Sequence, residues 1–380
     1  MKITKVEPIV LRVPGAKSSD TDVGLIDDLV VRVETDEGIH GIGECDGHPM
    51  VISSIIRGST FPHWGDFEQL LIGENPLNIG YLWEKMYNSF ANSGRRGLSI
   101  WALSGIDVAL WDIAGKYHKQ PVYQLLGGSG GKDAVTPYAS LNSLGANTDE
   151  VIQTCRESIK KPGYRAAKVH TDPKALRDGR MAQFVKTARE ELGDEIPLML
   201  DLYMALDANE AIRFAKSVEP YNIGFIEAAL QPDNLDGYAK LSYSTTIDIA
   251  AGEEQTTRFM LTELMDRGKV DIVQADATEA GGITEVKRVA GLAHDRGRKY
   301  IPHCWKTSIS FAANMNVVAS TINAPYVEFP IIPGVLRNRL TNESFKIDSS
   351  GRIKLPERPG LGVTLNEDVV QEYRYVPGSA

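Results

Sequence analysis

Acidic residues recur at regular intervals in the second half of the chain, near the ends of apolar segments. Asp201, Glu227 and Glu253 are separated by 26 and 26 residues, with Glu254 as the alternative at the third position. Three carboxylates that converge without a histidine or cysteine among them suit a hard divalent cation such as Mg²⁺. The sequence therefore predicts a Mg²⁺ site that keeps about one net negative charge after binding the ion.

A candidate base follows in the same series of intervals. Asp276 lies 23 residues after Glu253, and His303 lies 27 residues after Asp276. A carboxylate hydrogen-bonded to one imidazole nitrogen fixes the tautomer and raises the basicity of the other nitrogen. A cation facing such a base suits removal of the proton next to a carboxylate, because the cation stabilises the developing enediolate. We predict that His303 is the base and that Asp276 orients it.

Two basic residues stand one residue apart in the segment AAKVH (166–170). If the segment is a strand, Lys168 and His170 point to the same side of the sheet. Lys168 would supply positive charge to an anionic ligand beside the predicted metal site. His170, with an ordinary imidazole pKa of about 6.5, would serve as an acid or base, or else as a polar wall. Glu328 is the remaining acid of the series.

The elements that must position these residues are alternating strands and helices. The strand candidates are residues 135–141, 166–170, 197–203, 223–230, 246–254, 270–280, 299–305 and 325–330. Consecutive candidates start 23 to 31 residues apart, with helical patterns between most of them. This favours an α/β fold with a parallel (β/α)8-type barrel, in which the acids meet at the C-terminal ends of the strands. A doubly wound open sheet is the alternative, but no glycine-rich phosphate loop follows the first strand.

The first third of the chain has a different pattern, which is typical of an α+β unit. KITKVEPIVLRV (2–13) alternates apolar and polar residues, and DDLVVRVETDEGIHGIGECD (27–46) predicts a hairpin that turns at residues 36–38. LSIWALSGIDVALWDIAGK (98–116) carries apolar residues at helical spacing. A helix as apolar as this one is expected to be buried.

A glycine-rich stretch, QLLGGSGG (124–131), punctuates the chain and predicts a domain boundary. The C-terminal segment ends in GRIKLPERPGLGVTLNEDVV (351–370), which predicts extended stretches and turns, and we expect the segment to pack back on the N-terminal domain. The predicted parts are a capping domain, a barrel and this segment, over residues 1–128, 129–335 and 336–380.

Composition restricts the possible binding partners and the cellular compartment of the protein. The net charge of −9 and the pI of about 5.4 argue against nucleic acid or an anionic membrane as the main partner. No apolar run approaches a membrane span, and the N-terminus has no signal-peptide pattern. Cys45, Cys155 and Cys304 are widely spaced, without a CxxC pair. These features predict a reduced, cytoplasmic protein.

Over nearly its whole length, the chain resembles the enolase superfamily, in particular its mandelate-racemase-like subgroup. The resemblance rests on the ligand spacing and on four motifs, GLSIWALSGIDVALWDIAGK, QLLGG, QADATEAGGITE and RPGLGV. It implies an α+β capping domain over a modified TIM barrel, (β/α)7β, with a required Mg²⁺ and abstraction of the proton α to a carboxylate. It also implies a homo-oligomer, either an octamer or a dimer.

The resemblance assigns a role to each residue of the series. It implies three metal ligands, which are Asp201, Glu227 and Glu253. Glu253 is preferred to Glu254 because the family's ligand directly follows a glycine, here Gly252. Asp276 and His303 match the catalytic pair, and Glu328 matches an acid that hydrogen-bonds the substrate. Lys168 matches the first lysine of a Lys-x-Lys pair, whose second position is a base and is His170 in this chain.

The chain departs from the family pattern beside two of the ligands. Tyr203 stands where an asparagine usually follows the strand-three ligand, and Ala228 and Ala229 replace an acid or amide and a proline after Glu227. Together with His170, these changes affect the expected substrate more than the expected reaction class.

Four further features are weaker candidates for substrate contacts. Tyr203 and Trp305 follow strand ends, and Lys306 follows Trp305. His48 lies after the cap hairpin, where it is either a loop residue that closes over substrate or a surface histidine. GAKSSDTD (15–22) is either a lid or an idle loop. Arg95 and Arg96 are either a solvated pair or a contact for a substrate anion.

The residues and the resemblance together predict an enzyme that acts on a small carboxylate. The main hypothesis is Mg²⁺-dependent dehydration of a sugar acid to a 2-keto-3-deoxy acid, with His303 taking the α-proton. The first alternative is a racemase, epimerase or cycloisomerase acting on a carboxylate or a sugar-acid lactone, for which a second base such as His170 matters. The second alternative is a barrel that binds sugar acids without turnover.

Overall fold

The N-terminal part of the chain forms a three-stranded antiparallel sheet. The computed structural model describes residues 1–15, 26–59, 65–141, 148–160, 163–332 and 334–376. The sheet strands are Ile3–Arg12 (β1), Asp27–Thr35 (β2) and His40–Cys45 (β3), with β2 in the centre. The predicted hairpin turn is present, with Gly38 at a φ of 76°. The predicted lid, apart from Gly15, lies outside the described residues.

Helices follow this sheet in the chain, and the longest of them packs against β2 and β3. They are Pro49–Ile56 (α1), Phe67–Leu71 (α2), Ile79–Ser89 (α3), Leu98–His118 (α4) and Val122–Leu125 (α5). Helix α4 approaches β3 so closely that a Cβ on Gly43 would lie 1.9 Å from the carbonyl oxygen of Gly105. Contrary to the expectation that no apolar run approaches a membrane span, one helix within the described ranges, α4, is long and apolar enough to do so. However, 83% of its apolar window is buried, as in a core helix.

The second part of the chain is a parallel sheet of eight strands. Its strands are Pro137–Leu141 (β5), Ala167–His170 (β6), Leu198–Asp201 (β7), Ile223–Glu227 (β8), Ile249–Ala251 (β9), Ile272–Val273 (β10), Lys299–Tyr300 (β11) and Val327–Pro330 (β12). Hydrogen bonds join them in the order β11-β10-β9-β8-β7-β6-β5-β12. A short strand, Ala134–Val135 (β4), precedes them.

Helices connect consecutive strands of the parallel sheet. They are Thr148–Lys160 (α6), Pro173–Arg177 (α7), Arg180–Leu192 (α8), Ala208–Val218 (α9), Leu235–Ser242 (α10), Thr257–Asp266 (α11), Gly282–Asp295 (α12) and Ser308–Ala319 (α13). Seven strand–helix units followed by a last strand confirm the (β/α)7β architecture. Side chains on or beside all eight strands pack into one inner cluster: Tyr138, Ala166, Met199, Phe225, Ala250, Ile272, Ile301 and Tyr326.

Several predicted strands are too long. The candidates at 270–280 and 299–305 reduce to β10 and β11, so Asp276 and His303 lie on the segments that follow those strands. There the chain leaves the sheet because its polar side chains make specific contacts instead. Asp276, for example, accepts hydrogen bonds from the backbone and hydroxyl of Thr278.

The C-terminal segment contacts both parts of the molecule. It contains helix Val335–Arg339 (α14), strand Ile353–Lys354 (β13) and helix Glu367–Tyr373 (α15). Strand β13 pairs with β4, and the backbone N–H of Tyr375 donates to Val10 on β1. The prediction of extended stretches and turns alone is wrong for α15, because Val369 and Val370 become buried and Asn366 caps the helix. The division near residues 128 and 335 stays a proposal.

The cap is joined to the barrel at the start of α12. The indole of Trp83 donates to the carbonyl of Gly281 at 2.7 Å, and the backbone N–H of Gly281 donates to the Ser104 hydroxyl at 2.8 Å. The Thr284 hydroxyl donates to Asp107 at 2.6 Å. A Cβ on the neighbouring Gly282, whose φ is 81°, would lie within 2.5 Å of the Asp107 side chain. The glycines of GGITE therefore permit close docking of the two parts.

Candidate active site

The three acids predicted to bind metal lie together at one end of the parallel strands. Asp201 ends β7, Glu227 ends β8, and Glu253 follows β9. Their carboxylate oxygens lie within 4.8 Å of one another. The Asp201 carboxylate accepts from the backbone N–H of Tyr203 at 2.9 Å. Oε2 of Glu227 is fully buried, and none of the described residues hydrogen-bonds it. We call these three residues the acid triad.

The electrostatics of the acid triad fit a divalent cation. Burial raises the pKa of Asp201 and of Glu227, and burial with the neighbouring Glu254 raises that of Glu253 well above its usual range. Crowded carboxylates thus favour either a bound proton or a counter-ion. All the donor atoms are oxygens, and one buried oxygen lacks a partner, which suits Mg²⁺ better than a softer metal.

Lys168 lies beneath the acid triad and is fully buried. Its ammonium is 2.7 Å from Glu227, 2.7 Å from Glu328 and 3.6 Å from Asp201. Burial disfavours a charged lysine, but the acids outweigh burial and raise the pKa of Lys168 well above its usual range. Burial would likewise raise the pKa of Glu328, yet Lys168 lowers it to about 2. Lys168 therefore remains charged and balances these acids.

The imidazole of His303 faces the acid triad from the next strands. Its Nδ1 is 3.0 Å from Asp276, and its Nε2 is 4.0 Å from Glu253. The other oxygen of Asp276 accepts from the Asn314 amide at 2.9 Å, which fixes the carboxylate. Burial lowers the pKa of His303, but the hydrogen bond to Asp276 and the charges of the nearby Glu253, Glu328 and Glu279 together outweigh it and leave the pKa well above its usual range. The structure thus brings the predicted base and its partner together.

His170 lies on the other side of Asp201. Its Nδ1 is 3.4 Å from Asp201, and its ring packs 4.8 Å from that of Trp305. Burial and the nearby Lys168 lower the pKa of His170 to about 4, so the ring is neutral near pH 7. Its Nε2 is buried and has no hydrogen-bond partner among the described groups. Trp305 therefore touches the site through His170.

Unusual backbone conformations occur directly beside the acid triad. Tyr203 has a φ of 46° and Ala228 a φ of 43°, both in the left-handed region that non-glycine residues rarely adopt. Gly252, with a φ of 127°, precedes Glu253, and a Cβ there would lie 2.9 Å from Leu261. This close approach explains why a glycine precedes Glu253.

The weaker candidates lie at the edge of the site or away from it. Tyr203 is 56% exposed, and only its backbone has a contact with the acid triad that the structure describes. His48 is exposed at the start of α1. Arg95 and Arg96 are exposed before α4. The Cys304 thiol lies 3.6 Å from Ser310, and the residue lines a cavity of about 480 Å³.

Sequence reasoning missed two acids that meet His303. Asp46 follows β3 of the cap, and Glu279 lies on the segment after β10; polar atoms of both and of His303 lie within 4.8 Å of one another. Glu279 is three residues after Asp276, which was a usable signal. The sequence around Asp46 gave no signal that it belongs to the site, because the residues that it meets in space lie in another part of the chain.

The comparisons with known proteins define the family. Residues 4–127 match the mandelate racemase / muconate lactonizing enzyme N-terminal domain, and residues 150–369 match the enolase C-terminal domain-like family. The chain therefore belongs to the enolase superfamily, and it is an enzyme of the lyase or isomerase type that this family contains.

Named relatives cover nearly the whole chain. An arabinonate dehydratase from Saccharolobus solfataricus is 33% identical over 91% of this chain and 90% of its own length. A D-galactarolactone cycloisomerase from Agrobacterium fabrum is 30% identical over 91% of each. The crystal structure of the 3,6-anhydro-D-galactonate cycloisomerase from Zobellia galactanivorans superposes with a TM-score of 0.88, at 31% identity, over 99% of this chain and 100% of that one. These relatives process acid sugars.

Proposed function

We propose that this enzyme is a Mg²⁺-dependent acid-sugar dehydratase that forms a 2-keto-3-deoxy acid. The observation that carries the proposal is the position of His303, whose Nε2 faces the acid triad while Asp276 holds Nδ1 at 3.0 Å. An imidazole held in this way has its second nitrogen directed at the place where a carboxylate ligand would lie. The named dehydratases among the relatives add support.

Asp201, Glu227 and Glu253 would hold the ion. When bound, Mg²⁺ would offset the charge of the acid triad, orient the substrate carboxylate and favour the neutral form of His303. His303 Nε2 takes the α-proton, and the electron pair of the C–H bond moves into the carboxylate to form the enediolate. The enediolate then expels the β-hydroxyl, which leaves as water with the proton that His303 carries. The resulting enol tautomerises to the 2-keto acid.

The other residues of the site stabilise these steps. Lys168 is positioned to neutralise negative charge where the substrate carboxylate and the triad meet, and Glu328 holds Lys168 in place at 2.7 Å. The Cys304 N–H and the Ser140 hydroxyl both donate to Glu328, which keeps that carboxylate ionised. Trp305 excludes water from the face of His170.

The test is a screen of sugar monoacids and diacids with Mg²⁺, with keto-acid detection and product identification by NMR. We expect a 2-keto-3-deoxy acid from at least one substrate, and no product from the His303→Asn variant. An isomeric product without any keto acid would contradict dehydration. Unchanged turnover by His303→Asn would refute catalysis through this base.

An epimerase or cycloisomerase is the second candidate, and one observation favours it. His170 is a second imidazole beside the acid triad, with Nδ1 3.4 Å from Asp201 and an Nε2 that has no hydrogen-bond partner among the described groups. Recovery of substrate that has taken up deuterium from D₂O would support this candidate. The remaining alternative, a barrel without turnover, is disfavoured because the acid triad and the His303–Asp276 pair are complete.

The assembly and the compartment also stay proposals. We propose a homo-oligomer, an octamer or a dimer, which light scattering after size-exclusion chromatography would distinguish from a monomer. We further propose that the enzyme works in the cytoplasm on a small molecule, with neither nucleic acid nor a membrane as partner.

A further inference from the structure

Gln274 is a fully buried glutamine at the end of strand β10. Its backbone N–H and carbonyl still hydrogen-bond the neighbouring strand segments, so the chain remains extended here. Side chains alternate along this stretch, since Ile272 belongs to the inner cluster of the barrel whereas Val273 and Ala275 pack in the larger core around it. The side chain of Gln274 is therefore directed toward the barrel axis.

Gln274 completes a layer of four side chains across the barrel, because alternate strands of such a barrel share a layer. The layer lies two residues beyond Ala166, Phe225, Ile272 and Tyr326 of the inner cluster and consists of Lys168, Glu227, Gln274 and Glu328. Lys168 is 2.7 Å from each of its two neighbours in this layer, Glu227 and Glu328. Gln274 stands opposite Lys168 and has the same two acids as neighbours.

Four buried polar atoms in and below this layer have no hydrogen-bond partner among the described residues. They are Oε1 and Nε2 of Gln274, Oε2 of Glu227 and the hydroxyl of Tyr138. Tyr138 is fully buried in the inner cluster, and its ring centre is 5.6 Å from the Lys168 ammonium. Glu328 differs, because a hydroxyl and a backbone N–H already donate to its oxygens. Buried polar groups are almost always hydrogen-bonded, either to protein or to ordered water.

The unpartnered atoms suit one water molecule. A buried water makes about three hydrogen bonds and needs both donors and acceptors around it. Gln274 offers one of each, Glu227 offers an acceptor, and the hydroxyl of Tyr138 serves as either. Strand β9 lies between β8 and β10, and it and the residue after it contribute only Ala250 and Gly252 to this side of the sheet. No long side chain therefore separates Glu227 from Gln274.

We propose that Gln274 is a positioning residue of the metal site, which acts on Glu227 through a buried water molecule that it shares with Tyr138. This inference rests on the function proposed above, since Glu227 is one of the proposed ligands of the metal ion. Lys168 holds one oxygen of Glu227 at 2.7 Å, and the water holds the other. A carboxylate oxygen has two lone pairs, so Oε2 can accept this hydrogen bond and still bind a cation.

The test measures Mg²⁺ binding to the whole chain by calorimetry, without substrate. Gln274→Leu and Tyr138→Phe should each weaken binding about tenfold or more, as is typical when a group that orients a metal ligand is removed. Because both residues act through one water, the double variant should lose no more than the more affected single variant. The control is Tyr300→Phe, at an equally buried tyrosine whose hydroxyl donates to the carbonyl of Ala275, and it should leave Mg²⁺ affinity unchanged.

Two results with these variants would overturn the proposal. One is a higher melting temperature with unchanged Mg²⁺ affinity for Gln274→Leu, because removal of an amide that is merely buried without a partner is favourable. The other is a loss of affinity that adds in the double variant, since Gln274 and Tyr138 would then not share a ligand.

A crystal structure of the wild type that resolves ordered water is an independent check, even if a variant does not fold. We expect a water within about 3 Å of polar atoms of Gln274, Glu227 and Tyr138. A direct hydrogen bond between Gln274 and Glu227, without a water, would overturn the proposal.

The same measurements separate this inference from the proposed function. If the wild type forms a keto acid and Gln274→Leu binds Mg²⁺ as tightly as the wild type, the proposed function stands and the inference fails. If the wild type binds Mg²⁺ but forms no keto acid from any acid sugar, the proposed chemistry fails, and the Mg²⁺ affinities of the variants still decide the role of Gln274.

Discussion

Two buried lysines, each surrounded by acids, have different roles in this molecule. Lys168 lies inside the barrel against Asp201, Glu227 and Glu328. Lys306 lies between the cap and the barrel, where Asp28 and Asp46 contact it. In both regions the acids outweigh the effect of burial and raise the lysine pKa. The two regions therefore contain similar charges in similar surroundings.

The regions differ in how their excess negative charge is compensated. Beside Lys306, the oxygens of Glu44 accept hydrogen bonds from the backbone and hydroxyl of Thr307 and from the N–H of Ser310, at the start of α13. Burial raises the pKa of both Asp28 and Glu44, which makes it easier for these acids to bind a proton. Beside Lys168, the carboxylate oxygens of the acid triad lie within 4.8 Å of one another, whereas Asp28 and Glu44 belong to no such group among the described residues. Unpartnered carboxylate oxygens occur in both regions, on Glu227 and on Asp28. Convergence of ligand atoms, rather than the number of acids, distinguishes a candidate metal site from structural polar packing.

The sharpest test of this comparison removes one convergent acid. Glu227→Gln should lower Mg²⁺-dependent turnover by about 10³-fold or more, because a bound cation contributes several kcal/mol of transition-state stabilisation. It should also abolish the rise in melting temperature on adding Mg²⁺. Steady-state kinetics and calorimetry with and without EDTA measure both effects. The control is Glu34→Gln, and an unchanged Mg²⁺ response in Glu227→Gln would argue against the acid triad as the metal site.

The two histidines beside the acid triad provide the next test. His303→Ala should lower kcat by about 10²–10⁴-fold, since a general base contributes about that much. His170→Ala should lower kcat less, because Asp276 holds Nδ1 of His303, the proposed base, whereas His170 contacts Asp201, a proposed metal ligand. The reverse order in steady-state kinetics would make His170 the principal base. His48→Ala, at an exposed position, is the control.

Replacing each lysine tests the difference between the two regions directly. Lys168→Met and Lys306→Met each leave buried acids unpaired, so each should lower the metal-free free energy of unfolding by about 3–5 kcal/mol. Addition of Mg²⁺ should restore stability to Lys168→Met, because two of its three partners are in the acid triad. It should not restore stability to Lys306→Met. Equal rescue of both variants in urea titrations would remove the distinction drawn here.

A smaller effect is expected where the cap meets α12. Burial raises the pKa of Asp107 to about 7, despite its hydrogen bonds from Thr284. The folded state therefore holds the proton that the unfolded state releases near pH 4, and stability should fall as the pH rises from about 4 to 7. Asp107→Asn removes this dependence and should be more stable than the wild type above pH 7, by up to about 4 kcal/mol.

Melting temperatures measured from pH 4 to 8 check this prediction. The control is Asp236→Asn, at an exposed barrel residue that pairs with Arg267 and whose pKa is lowered. That variant should keep the wild-type profile in this range. Parallel profiles for Asp107→Asn and the wild type would show that Asp107 stays ionised in the folded protein.

Sequence spacing was sufficient for the parts of the molecule that repeat. Each strand–helix unit places one polar residue at the same end of the barrel, so the positions of Asp201, Glu227 and Glu253 could be expected from periodicity alone. The family resemblance then favoured Glu253 over Glu254 as the third predicted metal ligand. The close approach of Gly252 to Leu261 is the physical basis for that choice.

Contacts between the cap and the barrel could not be predicted in this way. Asp46 and Glu279 meet only after the cap docks, and no local pattern records how it docks. The same holds for α15, whose seven residues form a helix because Val369 and Val370 pack in the folded molecule. Some predicted strands were longer than the observed ones for a related reason. Asp276 lies beyond the end of its strand, where it hydrogen-bonds Thr278 and Asn314.

The junction at Gly281 has a consequence for how the molecule opens. Three side chains of the cap hydrogen-bond the start of α12. Trp83 donates to the carbonyl of Gly281, Ser104 accepts from the N–H of Gly281, and Asp107 accepts from the hydroxyl of Thr284. Glu279, two residues earlier in the chain, is therefore carried by a segment that cap and barrel hold jointly. A hinge between the two parts would have to break these bonds, so we expect the cap and the barrel to unfold together as one cooperative unit.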